Sequence, residues 1–402
     1  MGEVRLSGKE RWIQVSEEQE LVRDYDHLKG QLGKEGINIE NVTGALMALE
    51  IETPSWGYGR GGTRFAKFVD GSEPTDIFGK LEEAAKVHRL TGIAPSVAIH
   101  IPWDRVDDYN KILRKAEELN LRIGAINPNL FEDRIYKYGS ITNTDPEIRR
   151  KAVDHILECV EIGKIFESTI LSLWLSDGTN YPGQGDFRDR KRWVEECLAE
   201  VYQKLPENMR LLLEYKFFEP AFYHTDIFSF GIALDLAKKL GPKAQVLVDL
   251  GHHPRGTNIP HIVAYLLDEG KLGGFHLNDA KYADDDLTTG SIDPYQLFLI
   301  YVELTDPRCD TSNVAYMVDQ SHNEKNPTEA VIQTLGNIQH AYAKSLIVDR
   351  RKLKAAQQAS DVIAAEEVLL QAFRTDVTPI IKMARHRKGL PVSPLKALRS
   401  GV

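Results

Sequence analysis

Residues 244–279 read AQVLVDLGHHPRGTNIPHIVAYLLDEGKLGGFHLND. AQVLVDL is an apolar run of strand length. Residues 258–270 space their apolar side chains by three and four, as a helix facing a core does, and LGGFHLN is a second strand-length run. A strand, a helix and a strand in that order predict a parallel return, because parallel neighbours need a crossover where antiparallel ones need only a hairpin.

The same unit repeats outward in both directions. GALMALEI (44–51), PSVAIHIP (95–102), LRIGAINP (121–128), TILSLWL (169–175), RLLLEYK (210–216) and NVAYMVDQ (313–320) complete a set of eight apolar runs. Helical spacing fills the gaps at 73–90, 104–120, 146–165, 189–204, 226–240, 293–304 and 327–344. Eight such units over about 300 residues suit a closed (β/α)8 TIM barrel, with a doubly wound open sheet as the alternative. The reading divides the chain into an N-terminal helical segment (1–42, with Ser16 as a helix cap), a catalytic barrel (43–345) and a C-terminal helical extension (346–402) for oligomerisation. Within that extension, residues 349–373 read as one long helix.

The chain's 42% hydrophobic and 27% charged residues exclude disorder and fibrous classes. Its 59 acidic and 50 basic residues leave a net charge of −9, which weighs against nucleic acid or an anionic membrane as partner. Cys159, Cys197 and Cys309 are too few and too scattered for a disulfide framework or a zinc motif. With no run of signal-peptide or membrane-spanning character, the expected location is cytoplasmic. Beyond Asp376 there is no acidic residue, while Lys382, Arg385, Arg387, Lys388, Lys396 and Arg399 are basic, which predicts packing on an acidic surface of a neighbouring subunit.

In a (β/α)8 barrel, reactive groups lie at the C-terminal ends of the strands. Four consecutive ends here carry metal-ligating residue types: Glu214-Tyr-Lys216; Asp249-Leu-Gly-His252; His276, leading into Asp284-Asp285-Asp286; and Asp319, followed by Gln320-Ser321-His322. Singly, a strand-terminal Asp caps a helix, a lone His sits satisfied in a core, and Asp-Asp-Asp closes a turn. Together, five carboxylates and two imidazoles without thiolate suit a hard to borderline octahedral ion. They exceed what one such ion needs, so two divalent ions sharing a carboxylate are expected: Mn²⁺ first, with Co²⁺ or Mg²⁺ as alternates. His253 is expected to face away from its neighbour His252. His27, His88, His155, His340 and His386, on helical patterns, are expected at the surface.

The segments HIPWD (100–104), LSDGTNYPGQ (175–184), VDLGHHPRGTNIPHIV (248–263), LGGFHLNDAKYADDDLTTGSIDPYQLFL (272–299) and MVDQSHN (317–323) resemble the bacterial L-rhamnose isomerases that share the xylose-isomerase barrel, over roughly residues 10–400. The resemblance implies a structural metal site at Glu214, Asp249, His276 and Asp319. It implies a catalytic one at His252, Asp284 and Asp286, with Glu214 as candidate bridge. It also implies Lys216 as a catalytic group, a homotetramer, and interconversion of L-rhamnose and L-rhamnulose, with D-allose- or xylose-type isomerases as the nearest alternatives. A metal-dependent hydrolase on the same barrel is a further alternative.

An aldose–ketose isomerase must open a cyclic sugar and move hydrogen between C1 and C2. Trp56, Trp103 and Trp174 follow strands one, two and four, and Phe131 follows strand three; such rings would stack on the sugar and keep water from a hydride shift. Phe65, in the Gly-rich stretch GYGRGGTRF, suits a reach across a subunit boundary. His100 is the candidate for proton transfer in ring opening or for holding a distal hydroxyl. It precedes Asp104 by four residues, where the wider xylose-isomerase group spaces a His and an Asp by three.

Overall fold

The computed structural model describes residues 8–59, 71, 73–219, 223–282, 284–322 and 324–401. Eight parallel strands close into a barrel: β1 Glu52–Pro54, β2 Ser96–Ile101, β3 Arg122–Pro128, β4 Ile170–Trp174, β5 Arg210–Glu214, β6 Ala244–Asp249, β7 Leu272–Leu277 and β8 Ala315–Val318. Closure is made by β1, whose Glu52 is in register with Ser96 of β2 on one side and Met317 of β8 on the other.

The wall around the barrel consists of α3 Ile77–Thr91, α4 Tyr109–Glu118, α5 Pro146–Ile165, α6 Phe187–Lys204, α7 Phe230–Leu240, α8 Ile259–Asp268, α9 Pro294–Leu304 and α10 Pro327–Leu346. Their starts are written in the sequence. Asp145, Asn258, Asp293 and Asn326 cap α5, α8, α9 and α10, each followed by a proline in the first turn, where a missing N–H costs nothing.

Inside the barrel the side chains form two layers. Ala98, Ala125, Ile170, Leu212, Leu247 and Met317 pack together as an apolar floor under Trp56. Because side chains on a strand alternate with period two, the residue two positions on from each of these faces the same interior one layer higher. Those residues are His100, Asn127, Ser172, Glu214, Asp249 and Asp319. The layer switch from apolar to polar is what makes a site at this end of the barrel.

Strand one departs from expectation. Gly44–Ala48 of the run GALMALEI finishes helix α2, Ile39–Ala48, and the strand is the polar segment after it. Ile39, Val42, Thr43 and Leu46 bury one helical face, and that periodicity outweighs the run's strand-like composition. Glu52 tolerates burial because Ala125 N–H donates to its Oε1 at 3.0 Å. It fits because residue 124 is glycine: a Cβ there would lie 1.4 Å from Glu52 Oε2.

Helix α1 runs Gly8–Lys34, starting well before Ser16. The stretch expected as one helix is two, α11 Arg350–Gln358 and α12 Val362–Arg374, broken where Ser360 takes φ +55° and Asp361 caps the second. With α13 Thr378–Arg387, these helices pack with α1 and α2 on the α9–α10 side of the barrel, burying Leu21, Tyr25, Leu28, Phe298, Ile380 and Ile381 in a second apolar cluster, while α14 Pro394–Arg399 lies on α10 and α3 and packs Leu395 and Leu398 against the main core.

The acidic partners expected on a neighbouring subunit are present within the chain. Arg387 meets Glu40 at 2.6 Å, Arg399 meets Glu329 at 2.6 Å, and Lys388 donates to Met47 O and Gly92 O at 3.0 and 2.7 Å. Three helical histidines are also less exposed than expected: His88, His155 and His340 are half-buried, while His27 and His386 are exposed.

Candidate active site

The ends of β5 to β8 bring six side chains into one cluster. Glu214, Asp249, His276 and Asp319 offer ligand atoms all within 4.8 Å of one another, and so do Asp249, His252 and Asp284. The carboxylate common to both groups is therefore Asp249, at the end of β6 between the two sets. Glu214, expected as the bridge, belongs to one group only. Glu214 Oε1 does lie 3.2 Å from His252 Nδ1, but that nitrogen is turned to the carbonyl of Tyr215 at 3.3 Å. His252 thus presents Nε2 to Asp284 Oδ1 at 3.4 Å and Asp249 Oδ2 at 3.8 Å. Fixing one ring nitrogen so that the other faces an ion is how histidine ligands are oriented.

Asp286 stands beside this group, with Asn278 Nδ2 3.5 Å from its Oδ1. In the Asp-Asp-Asp run the middle residue does the turn chemistry: Asp285 accepts from Lys281 N and Tyr282 N, while Asp284 and Asp286 line the pocket. The loop is pinned by Asp279, which bridges backbone to Leu287 and accepts from Ile292 N and Asp293 N.

The electrostatics show a cluster short of positive charge. Burial, together with Glu214, Asp284 and Asp319 and against His252, pushes the Asp249 carboxyl up to about 7. Burial with Asp284, Asp319 and Asp249 raises Asp286 well above the carboxylate range. Burial would lower His276, yet Glu214, Asp319 and Asp249 lift it to about 10. Carboxylates that retain protons and an imidazole that holds one tightly are what close-packed ligands do when the protein's own cations fall short. All-oxygen-and-nitrogen donors at this spacing fit divalent cations.

Lys216 is buried, with Nζ donating to Asp284 Oδ2 at 2.6 Å and lying 5.0 Å from the centroid of the Trp174 ring. Both of these partners line the pocket. Asn278, which the sequence reading passed over, donates from Nδ2 to both oxygens of Asp249 at 3.0 Å.

Facing the cluster is a run of rings. Trp56 and His100 meet edge to face at 5.6 Å between centroids, His100 and Trp103 lie 4.0 Å apart at 32°, and Phe131 contacts Trp103 at 5.9 Å and Trp174 at 4.8 Å. Trp56 Nε1 also donates to Asp319 Oδ1 at 2.8 Å, joining the wall to the cluster. All five rings line the cavity, together with Asn127 and Ser172, two further residues that the sequence reading missed. His100 Nδ1 and Ser172 Oγ are buried without a hydrogen-bond partner, so the wall offers polar atoms to whatever enters. Burial holds the His100 imidazole down at about 3, keeping it neutral.

Other expected residues are placed elsewhere. His253 does face away from His252, its Nε2 2.7 Å from Tyr215 Oη. Gln320 and His322 bond to each other and Gln320 to Thr289 and Thr334, outside the cluster. Asp104 does not approach the His100 ring. Phe65 lies outside the described residues.

Residues 85–299 match the xylose isomerase-like TIM barrel family. The chain is 46% identical to a probable sugar isomerase of Rhizobium meliloti, covering 94% of this chain and 90% of that one. The chain belongs to the xylose isomerase-like TIM barrel family. A probable sugar isomerase of Mesorhizobium japonicum is 43% identical, with 95% and 90% covered. The xylose isomerase of Thermus thermophilus is 28% identical over 56% of this chain and 65% of its own. Among solved structures, an L-ribulose 3-epimerase shares the fold with a TM-score of 0.54 at 15% identity, over 78% of this chain and 98% of that one.

Proposed function

We propose that the protein is a metal-dependent aldose–ketose isomerase that interconverts L-rhamnose and L-rhamnulose by ring opening and a 1,2-hydride shift. The observation that carries the reading is the pair of ligand groups sharing Asp249 opposite a closed wall of rings. The family and its sugar-isomerase relatives support the reaction class, and the sequence resemblance supports the 6-deoxy sugar. Glu214, Asp249, His276 and Asp319 would hold one divalent ion, and Asp249, His252, Asp284 and Asp286 the other. Bound there, such ions supply Lewis-acid polarisation of the sugar's C1 and C2 oxygens.

The remaining work falls to the chain. Trp56, Trp103, Phe131 and Trp174 stack on the sugar's C–H faces and exclude water from the transfer. Neutral His100 can accept a hydroxyl proton in ring opening or hold a distal hydroxyl. The Lys216 ammonium favours negative charge developing on a sugar oxygen. An enediol route needs a base at the C1/C2 protons. Among the described residues, each carboxylate lining the pocket belongs to the ligand cluster, which favours the hydride shift.

Protein stripped with EDTA should form no ketose, and Mn²⁺, Co²⁺ or Mg²⁺ added singly should restore turnover, with L-rhamnose ahead of D-allose and xylose. A metal-independent rate, or no isomerisation of any aldose, would overturn the reading. The protein is also proposed to work in the cytoplasm as a homotetramer; no helix among the described residues is long and apolar enough to cross a membrane. Tyr138, Tyr181, Phe187 and Tyr282, each more than half exposed, all follow the C-terminal ends of strands and offer apolar area for subunit contact. Light scattering at micromolar concentration should give four times the 45.4 kDa chain mass; a monomer would refute it.

A further inference from the structure

A buried ion pair stands behind the aromatic wall, outside the ligand cluster. Lys80 of α3 places Nζ 2.7 Å from Asp104 Oδ1, with the two side chains 5% and 0% exposed. The other oxygen of Asp104 accepts from Ser55 Oγ and from the backbone N–H of His100, the latter at 2.9 Å, and Asp104 N–H donates back to His100 O at 2.8 Å.

One carboxylate thus ties together a helix, the turn after β1 and the end of β2. Ser55 directly precedes Trp56, and Asp104 directly follows Trp103. His100 lies between those two indoles, and its own Nδ1 has no hydrogen-bond partner. Nothing bonded to Nδ1 therefore sets the imidazole's orientation. Its backbone anchor and its ring neighbours set it, and both run through Asp104.

Stability gives little reason to keep such a pair. Taking two charges out of water is costly, and apolar residues of similar volume pack equally well or better in such places. What a charged pair provides that an apolar one does not is direction, because the carboxylate's lone pairs and the ammonium's three N–H groups fix where each partner stands.

We infer that Lys80 and Asp104 are positioning residues that set the placement of Trp56, His100 and Trp103 against the bound sugar. This rests on the isomerase reading for its kinetic consequence, though not for the geometry itself. Neither residue lines the pocket. The pair acts on binding through the rings, so its loss should fall mainly on KM.

The test uses the full chain with its metals. Lys80→Met should raise KM for the preferred aldose about tenfold and lower kcat/KM by about the same factor, with kcat changed less than about threefold and metal content unchanged. The near-UV circular dichroism of the tryptophans should change while the far-UV spectrum does not. Ser55→Ala removes only one bond to Asp104 and should give a smaller shift in the same direction, which keeps the test open if Lys80→Met does not fold. Unchanged KM and near-UV spectrum, with only a lower Tm, would overturn the inference. If the wild type isomerises no aldose, the proposed function fails instead, and the near-UV comparison then decides the positioning role alone.

Discussion

Asp249→Asn is expected to abolish turnover, lowering kcat/KM by more than about 10³-fold, because Lewis-acid terms worth several kcal/mol leave with the metals. Metal content should fall from two ions per chain to below one. Among the described residues no other side chain belongs to both ligand groups, so its replacement removes a ligand from each at once. The site also cannot adapt to an amide. Asn278 Nδ2 donates to both Asp249 oxygens and Gly251 N–H to Oδ1 at 2.7 Å. An amide nitrogen at either position would face a donor, and the residue is fully buried, where an unmade hydrogen bond is expensive. Elemental analysis of the purified variant, alongside ketose formation, checks both parts. Asp319→Asn is the control, since Asp319 lies in one group and should cost one ion. Full occupancy and turnover in Asp249→Asn would remove it as the bridge.

The shared position of Asp249 in both groups shows where the sequence could and could not be read. The barrel was legible as apolar runs alternating with helical spacing, and in six of the eight strands an apolar residue is followed, two positions on, by a polar one. Leu212–Glu214, Leu247–Asp249 and Met317–Asp319 stand out because their second members are charged. Ala125–Asn127 and Ile170–Ser172 follow the same rule but end in neutral residues, which mark nothing until the register places them in the ring. Asn278 was hidden for the same reason.

Choosing Asp249 over Glu214 as the shared ligand needed the geometry across β5, β6 and β7, which spacing along one chain does not carry. Long-range pairs were equally silent. Lys80 meets Asp104 only because α3 packs behind β2, and the basic tail finds Glu40 and Glu329 only because both ends of the chain fold onto one side of the barrel. Strand one failed for a different reason: a three-residue polar strand beside an apolar helix reads backwards on composition.

Lys216→Met is expected to lower kcat by about 10² to 10³-fold, the loss found when one preorganised donor to a developing charge is removed. KM should change little, because an interaction made mainly in the transition state leaves ground-state binding alone. Methionine keeps most of the stem's volume, so the packing beneath Trp174 should survive and the charge alone is lost. That charge now holds Asp284: His252 and Lys216 together outweigh burial and keep its carboxyl well below the usual range. Removing the ammonium leaves Asp284 more negative toward its ion, so metal content should stay at two per chain or bind more tightly. Lys216→Arg should not rescue. The side chain is 2% exposed, with Nζ 2.6 Å from Asp284 Oδ2, and a planar guanidinium needs width that a point charge does not. Steady-state kinetics with metal analysis separate the outcomes. A fall in kcat at constant KM and full metal places Lys216 in the chemistry. A rise in KM with kcat intact would make it a residue that only supports Trp174 and Asp284, and the electrostatic role would have to be given up.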